Sequence, residues 1–123
     1  MGTIEAFLVF AGGAAGSLTR YIIGKFVSQK VKDSFPFGTL LINISGAFLL
    51  GFLNAFNPAK NIYLFAAEGF LGGYTTFSTF MYEGISLISA SKKINALIYI
   101  AGTVITGIIS FFAGSLLAGL FMP

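Results

Sequence analysis

Four apolar blocks, set apart by short polar punctuation, leave this chain few ways to fold. They run from about Ile4 to Phe26, Phe37 to Phe56, Asn61 to Ala90 and Ile94 to Met122. A helix needs about 20 mostly apolar residues to cross the hydrocarbon core of a bilayer, and each block supplies them. Only helices and closed barrels satisfy their backbone in lipid, and no block alternates with the period of two that a barrel strand requires. The expectation is an all-α membrane protein of four transmembrane helices, residues 1–123 forming one domain. The loops "KVKDSFPFG", "NPAKN" and "SKK" carry most of the basic residues, with Pro36 and Pro58 at helix boundaries, where a missing N–H costs least.

Composition agrees: 56% of residues are hydrophobic and 9% charged, which is the membrane class. Cys and His are absent. That removes disulfides, thiolate chemistry, the usual zinc sites and any serine–histidine nucleophile, so no enzyme is expected. "MGTIEAFLVF" lacks the basic start and cleavage site of a signal peptide and reads as mature protein. The net charge of +3 sits mainly on loop lysines and does not resemble a nucleic-acid-binding face.

Small residues recur at four-residue spacing: Gly12 and Gly16 in the first block, Ala47, Gly51 and Ala55 in the second, Ser110, Gly114 and Ala118 in the fourth. Such faces let helix backbones approach, and packing is the main force once lipid is the solvent. Four helices of this size enclose little interior, so a transport path calls for a second subunit.

The polar residues inside the blocks are the informative ones: Glu5, Arg20, Asn43, Ser45, Glu68, Thr75, Thr76, Ser78, Thr79, Glu83, Tyr99, Thr103, Thr106 and Ser110. A charge at mid-bilayer costs about 2.5–3.5 kcal/mol on the lenient insertion scale, so such groups face a bundle interior or a wet path. Glu5 and Glu68 read as interfacial. Arg20 either snorkels to the headgroups or draws anions to a vestibule. Asn43 lies mid-block, with two N–H donors that line a path or bind a neighbouring helix. In "GFLGGYTTFSTFMYEG", Gly69 to Gly84, the Gly72-Gly73 pair weakens the helix and the hydroxyls compete with its ladder, so a break is expected near Gly72–Thr76. Phe77 and Phe80, three apart, share a face. A phenyl edge is positive and can solvate an anion without holding it as tightly as a fixed charge would. Carbonyls freed at the break suit a hard monovalent cation.

Taken together, "GGAAGSLTRY", "GTLLIN" and "GGYTTFSTF" resemble the CrcB/Fluc fluoride channels, over essentially the whole chain. The resemblance implies an antiparallel dual-topology dimer in the cell inner (plasma) membrane, with two fluoride pores and a structural Na+ at the dimer centre, exporting fluoride by passive electrodiffusion. It assigns the pore to Asn43, Phe77 and Phe80, with Ser78 and Thr79 beside them, and the pore-end glutamate to Glu83. Arg20 becomes a vestibule residue, and the Na+ ligands become the carbonyls of Gly72 and Thr75. A hydroxyl track on the last helix would begin at Tyr99 and Thr103, with Thr106 and Ser110 as alternatives beyond Gly107.

Two other readings compete. A small multidrug-resistance-type, proton-coupled cation exporter needs a carboxylate well inside its first span, where this chain has only Glu5 at the start. A membrane scaffold explains the small faces but not "GGYTTFSTF". Orientation is the awkward feature. Loops one and three hold Lys25, Lys30, Lys32, Lys92 and Lys93, against Lys60 alone at the other end. Positive loops favour the cytoplasm, whereas dual insertion asks for little bias. An antiparallel homodimer is still expected, with a heterodimer of paralogues as the alternative, because every pore residue is present.

Overall fold

A computed structural model of the chain describes residues 2–122, and no β-strand occurs among them. Helix α1 spans Thr3–Lys30, α2 Phe37–Phe56 and α6 Lys93–Gly119. These three are long and apolar enough to cross a membrane. At 1.5 Å per residue α1 is about 42 Å long, beyond the roughly 30 Å of a bilayer core, so its lysine-bearing end projects.

The third apolar block folds in pieces. Helix α3, Lys60–Tyr63, leads into a π-helical segment, Leu64–Leu71, then into α4, Gly72–Tyr74. The chain turns extended at Thr75 (φ −80°, ψ 158°) and resumes as α5, Ser78–Ser89. The interruption therefore falls at Thr75–Phe77, at the edge of the expected stretch, and Gly72 itself is helical (φ −61°, ψ −37°). The glycine pair does not break the helix.

It serves packing instead. Helix α1 lies along the π segment and α4. A methyl group added at Gly12 or Gly16 would strike the carbonyl oxygens of Phe65 or Phe70, and one at Gly73 that of Gly13. Helices α2 and α6 cross just as closely, Gly51 against the Phe111 carbonyl and Gly114 against that of Phe48, with Ala118 fully buried. The small faces legible in the sequence are these two contacts.

The ends are made locally. Asn57 takes a left-handed conformation (φ 54°) and donates its N–H to Leu53 O at 2.9 Å, ending α2 just before Pro58. Ser91 (φ 62°) turns α5 into α6, with Lys92 N–H bonded five residues back to Leu87 O at 2.9 Å. Asp33 Oδ1 accepts the Phe35 N–H at 2.8 Å in the first loop. Lys60 Nζ lies 3.0 Å from Glu5 Oε1, tying the second loop to the start of α1, and Lys92 Nζ reaches Ser34 Oγ at the opposite end.

Large apolar side chains remain exposed along every long helix, as suits a molecule whose solvent is lipid. Two small clusters form the interior. Ile42, Leu71 and Tyr74 sit beneath Phe70, while Phe80, Leu87, Ala96 and Tyr99 are capped by Phe35 of the first loop.

Candidate functional site

Outside the tyrosines, the described residues bury three polar side chains, Thr39, Thr76 and Thr103. All three line two clefts that meet at Thr76. The larger, about 710 Å³, lies between α1, the first loop, α2 and α5, and takes in Arg20, Thr39, Thr79 and Glu83. The smaller, about 490 Å³, opens on the other side of the break and is lined by Asn43, Gly72, Thr75, Phe77, Phe80 and Thr103. Thr76 lines both, so the break itself is the partition.

Asn43 holds that partition. Its Nδ2 donates to Thr76 O at 2.9 Å, and its Oδ1 accepts the Thr76 N–H at 2.9 Å. The side-chain amide thus replaces the backbone partners of both polar main-chain groups of one residue, Thr76. One N–H of the Asn43 amide is left over, beside the smaller cleft. The two readings left open for this residue, helix-to-helix bond and path-lining donor, are compatible.

Diversion of the ladder continues through the break. In an unbroken helix the Gly72 carbonyl would accept from Thr76 N–H, which goes to Asn43 instead. The Thr75 carbonyl would accept from Thr79 N–H, which goes to Thr76 Oγ1 at 3.2 Å. No hydrogen bond among the described residues reaches either oxygen. The Gly73 carbonyl, by contrast, is met by Ser17 Oγ at 3.4 Å. A methyl at Gly72 would meet nothing within 4 Å, so this face of the chain is open.

Aromatic rings line the far side. Phe77 and Phe80 have centroids 6.1 Å apart at 52°, and Phe80 stands 5.3 Å from Tyr99. Phe77 sits in the break rather than on α5, and is 74% exposed where Phe80 is 7%. Tyr99 is fully buried behind Phe80; its hydroxyl donates to Glu83 Oε1 at 3.4 Å, and Phe35 meets its ring edge-on at 5.6 Å.

Of the residues singled out from the sequence, Asn43, Phe77, Phe80, Thr103, Gly72 and Thr75 converge on the smaller cleft. Arg20, Thr79 and Glu83 converge on the larger. Tyr99 lines neither and supports both through Phe80 and Glu83. Ser78 is exposed and lines neither cleft, and Thr106 turns back onto Gly102 O at 2.5 Å. Ser110 lines neither, so Thr103 is the one hydroxyl of α6 at the clefts; the others come from α1, the first loop, α2, the break and the start of α5. Glu68, expected at an interface, is exposed on the π segment. Ser45 is explained by its 2.8 Å bond to the Tyr74 hydroxyl. Thr39 is absent from the sequence-derived set. Its spacing of four from Asn43 puts it on the same face of α2 and could have found it.

A polar cleft with an arginine, joined through a threonine to a cleft of amide and ring edges, has the surface chemistry of an anion path. The family model described as "CrcB-like protein, Camphor Resistance (CrcB)" matches residues 7–115. The chain belongs to the CrcB family. It is 50% identical over 117 residues to a protein named fluoride-specific ion channel FluC 2 from Clostridium acetobutylicum, covering 95% of this chain and 100% of that one. It is 45% identical to the fluoride-specific ion channel FluC of a Hydrogenobaculum species, over 91% of this chain and 95% of the relative. A Bacillus cereus FluC 2 is 41% identical, over 95% and 99%. Membership in the CrcB family accounts for a multi-pass membrane fold without the constellation of an enzyme.

Proposed function

We propose that the chain is a fluoride-selective channel of the plasma membrane, carrying fluoride out of the cytoplasm by passive electrodiffusion. The observation that carries the reading is the meeting of the two clefts at Thr76. Arg20 lines the larger cleft and not the smaller, so it raises the local concentration of anions without holding them beside Asn43 and the phenyl edges. Past Thr76, the spare Asn43 N–H and the edges of Phe77 and Phe80 replace water around a small anion with weak donors. Thr79 adds a hydroxyl that turns to suit the ion, while Thr103, whose Oγ1 donates back to Tyr99 O at 2.6 Å, offers the cleft its methyl and hydroxyl oxygen. Glu83 stands at the mouth, its carboxylate held by Tyr99 and repelling any anion that would linger there.

The functional unit is an antiparallel dimer of two such chains with a pore on each side, and four membrane crossings per chain. Support comes from the open face at Gly72 and from Phe77, a large ring left uncovered beside polar backbone. The released carbonyls of Gly72 and Thr75 are the oxygen type a hard cation selects, and a pair from each chain would hold a structural Na+ between the two. Na+ bound there would neutralise the four carbonyl dipoles, which would otherwise face lipid or repel a passing anion.

The exporter reading loses its carboxylate, because Glu5 is engaged by Lys60 at the surface. Reconstitution in liposomes decides the matter. Fluoride efflux without a proton gradient, with chloride retained, is the expected result. Efflux that requires an imposed proton gradient, or that carries chloride equally, would sink the proposal.

A further inference from the structure

An apolar groove of about 560 Å³ runs along the outer surface, between the C-terminal half of α1 and the N-terminal half of α2. Lys30 is the one polar residue in its lining, which otherwise includes Phe26, Val27, Val31, Phe37 and Leu41. Phe26, Phe37 and Leu41 remain exposed along it. Lys30 ends α1 with its Nζ 5.5 Å from the centre of the Phe26 ring, which sets the ammonium at the groove's lip. It makes no ion pair among the described residues.

Any groove on a membrane protein meets acyl chains. This one is set apart by charge. Lys25, Lys32, Lys92 and Lys93 lie at the same end of the molecule, while the single lysine of the other end is paired with Glu5. A wall of three side chains, Val27, Val31 and Phe37, divides the groove from the larger polar cleft, each lining both. Whatever fills the groove presses on the wall of that cleft.

We propose that the groove binds an anionic phospholipid, one acyl chain lying between Phe26 and Leu41 and the phosphate resting on Lys30, and that its occupancy stiffens the cleft wall. Charge complementarity selects the occupant. A zwitterionic lipid fills the groove equally well but gains little net attraction from the lysines, each worth about 1 kcal/mol near an anionic surface.

The test needs no ion flux and so stands apart from the channel reading. The purified full-length chain in detergent is titrated with phosphatidylglycerol or phosphatidylcholine of the same acyl chains, and retained lipid is counted by native mass spectrometry. Phosphatidylglycerol should bind more tightly. Lys30→Gln should weaken it about fivefold, the factor that one such lysine implies, and leave phosphatidylcholine unchanged. Leu41→Trp should weaken both by filling the groove, and Lys60→Gln at the far end should change neither. Equal retention of the two lipids by the wild type, or a Lys30→Gln variant that matches it, overturns the proposal. So does a disulfide between two chains carrying Leu41→Cys in vesicles, which would mean a second copy covers the groove.

Discussion

Replacing Asn43 by Ala strikes the partition at one point with a cost that the geometry bounds. Two bonds of 2.9 Å disappear, and the Thr76 N–H and C=O lose their partners together. An orphaned buried group costs about 1–3 kcal/mol, which sets an upper limit of roughly 6 kcal/mol for the two. Side-chain hydrogen bonds measured in membrane proteins average only about 0.6 kcal/mol, because freed groups find other partners. Thr76 borders both clefts and is 8% exposed, so water reaches it from either side. A loss of about 2 kcal/mol is therefore expected, measured by reversible unfolding in mixed micelles. Flux should fall further than stability explains. The remaining amide N–H is a donor to an anion, worth about 1.5–3 kcal/mol, and its loss at the barrier slows permeation roughly tenfold to a hundredfold. Asn43→Asp separates the two roles. It keeps the acceptor for Thr76 N–H and so retains part of the stability, but it offers no donor and should pass as little fluoride as the Ala variant. Wild-type flux per folded Asn43→Asp chain would refute the donor role and leave the residue a clamp alone.

Four further outcomes follow from the same geometry. Phe77→Ile removes a ring that is 74% exposed, so the protomer should stay within about 0.5 kcal/mol of wild type while fluoride flux collapses; unchanged flux in liposomes would discard the ring-edge account. Gly73→Ala should destabilise the protomer by about 1–3 kcal/mol through its collision with the Gly13 carbonyl, whereas Gly72→Ala should leave the protomer intact and weaken the dimer, a contrast read by unfolding and by size-exclusion chromatography. Exchanging Na+ for a larger monovalent cation should loosen the dimer at constant ionic strength, and identical dimer lifetimes after exhaustive exchange would remove the cation from the proposal. Single cysteines at Lys60 and Lys92, in a chain with none of its own, should label comparably with an impermeant thiol reagent outside intact cells if the chain inserts both ways; near-complete labelling at one and none at the other would point to a partner chain.

What could be read without coordinates was whatever depends on composition and spacing. The second helix runs from Phe37 to Phe56 as its apolar block does, since Pro36 and Asn57-Pro58 mark its ends chemically. The glycine faces of α1, α2 and α6 were legible because four-residue spacing means one helix face. The π winding of Leu64–Leu71 was not legible. An insertion of that kind depends on how closely α1 approaches, and no residue type marks it. The break, expected near Gly72–Thr76, falls at the end of that stretch, at Thr75–Phe77, for a related reason. Glycine lowers helix propensity, but a glycine pressed against Gly13 is held helical by its neighbour, while the hydroxyls and Asn43 extract the chain from the ladder just beyond. Arg20, Thr79 and Glu83 could be named as polar residues in lipid, yet their convergence on one cleft, with Thr39 among them, is a property of three helices at once.

The expensive groups of this chain are bound into one device. Asn43 takes the Thr76 N–H and Thr76 takes the Thr79 N–H, and these two bonds end one helix before α5 begins. In doing so they leave the carbonyls of Gly72 and Thr75 without a hydrogen bond among the described residues and set Phe77 outside α5, on the same cleft as Asn43. In the proposed channel, donors for an anion and acceptors for a cation would thus be made by the same diversion, around one residue, Thr76. This explains why an amide, rather than a hydroxyl or a charge, stands at position 43. Only an amide can accept from a backbone N–H, donate to the adjoining carbonyl, and keep a further donor in hand. It also fixes how the proposed properties can come apart. Loss of the ring edges at Phe77 leaves the cation ligands where they are, so flux can vanish while the dimer persists. Loss of Asn43 lets Thr76 N–H return to the Gly72 carbonyl, and anion passage and the dimer's dependence on Na+ should then decline together.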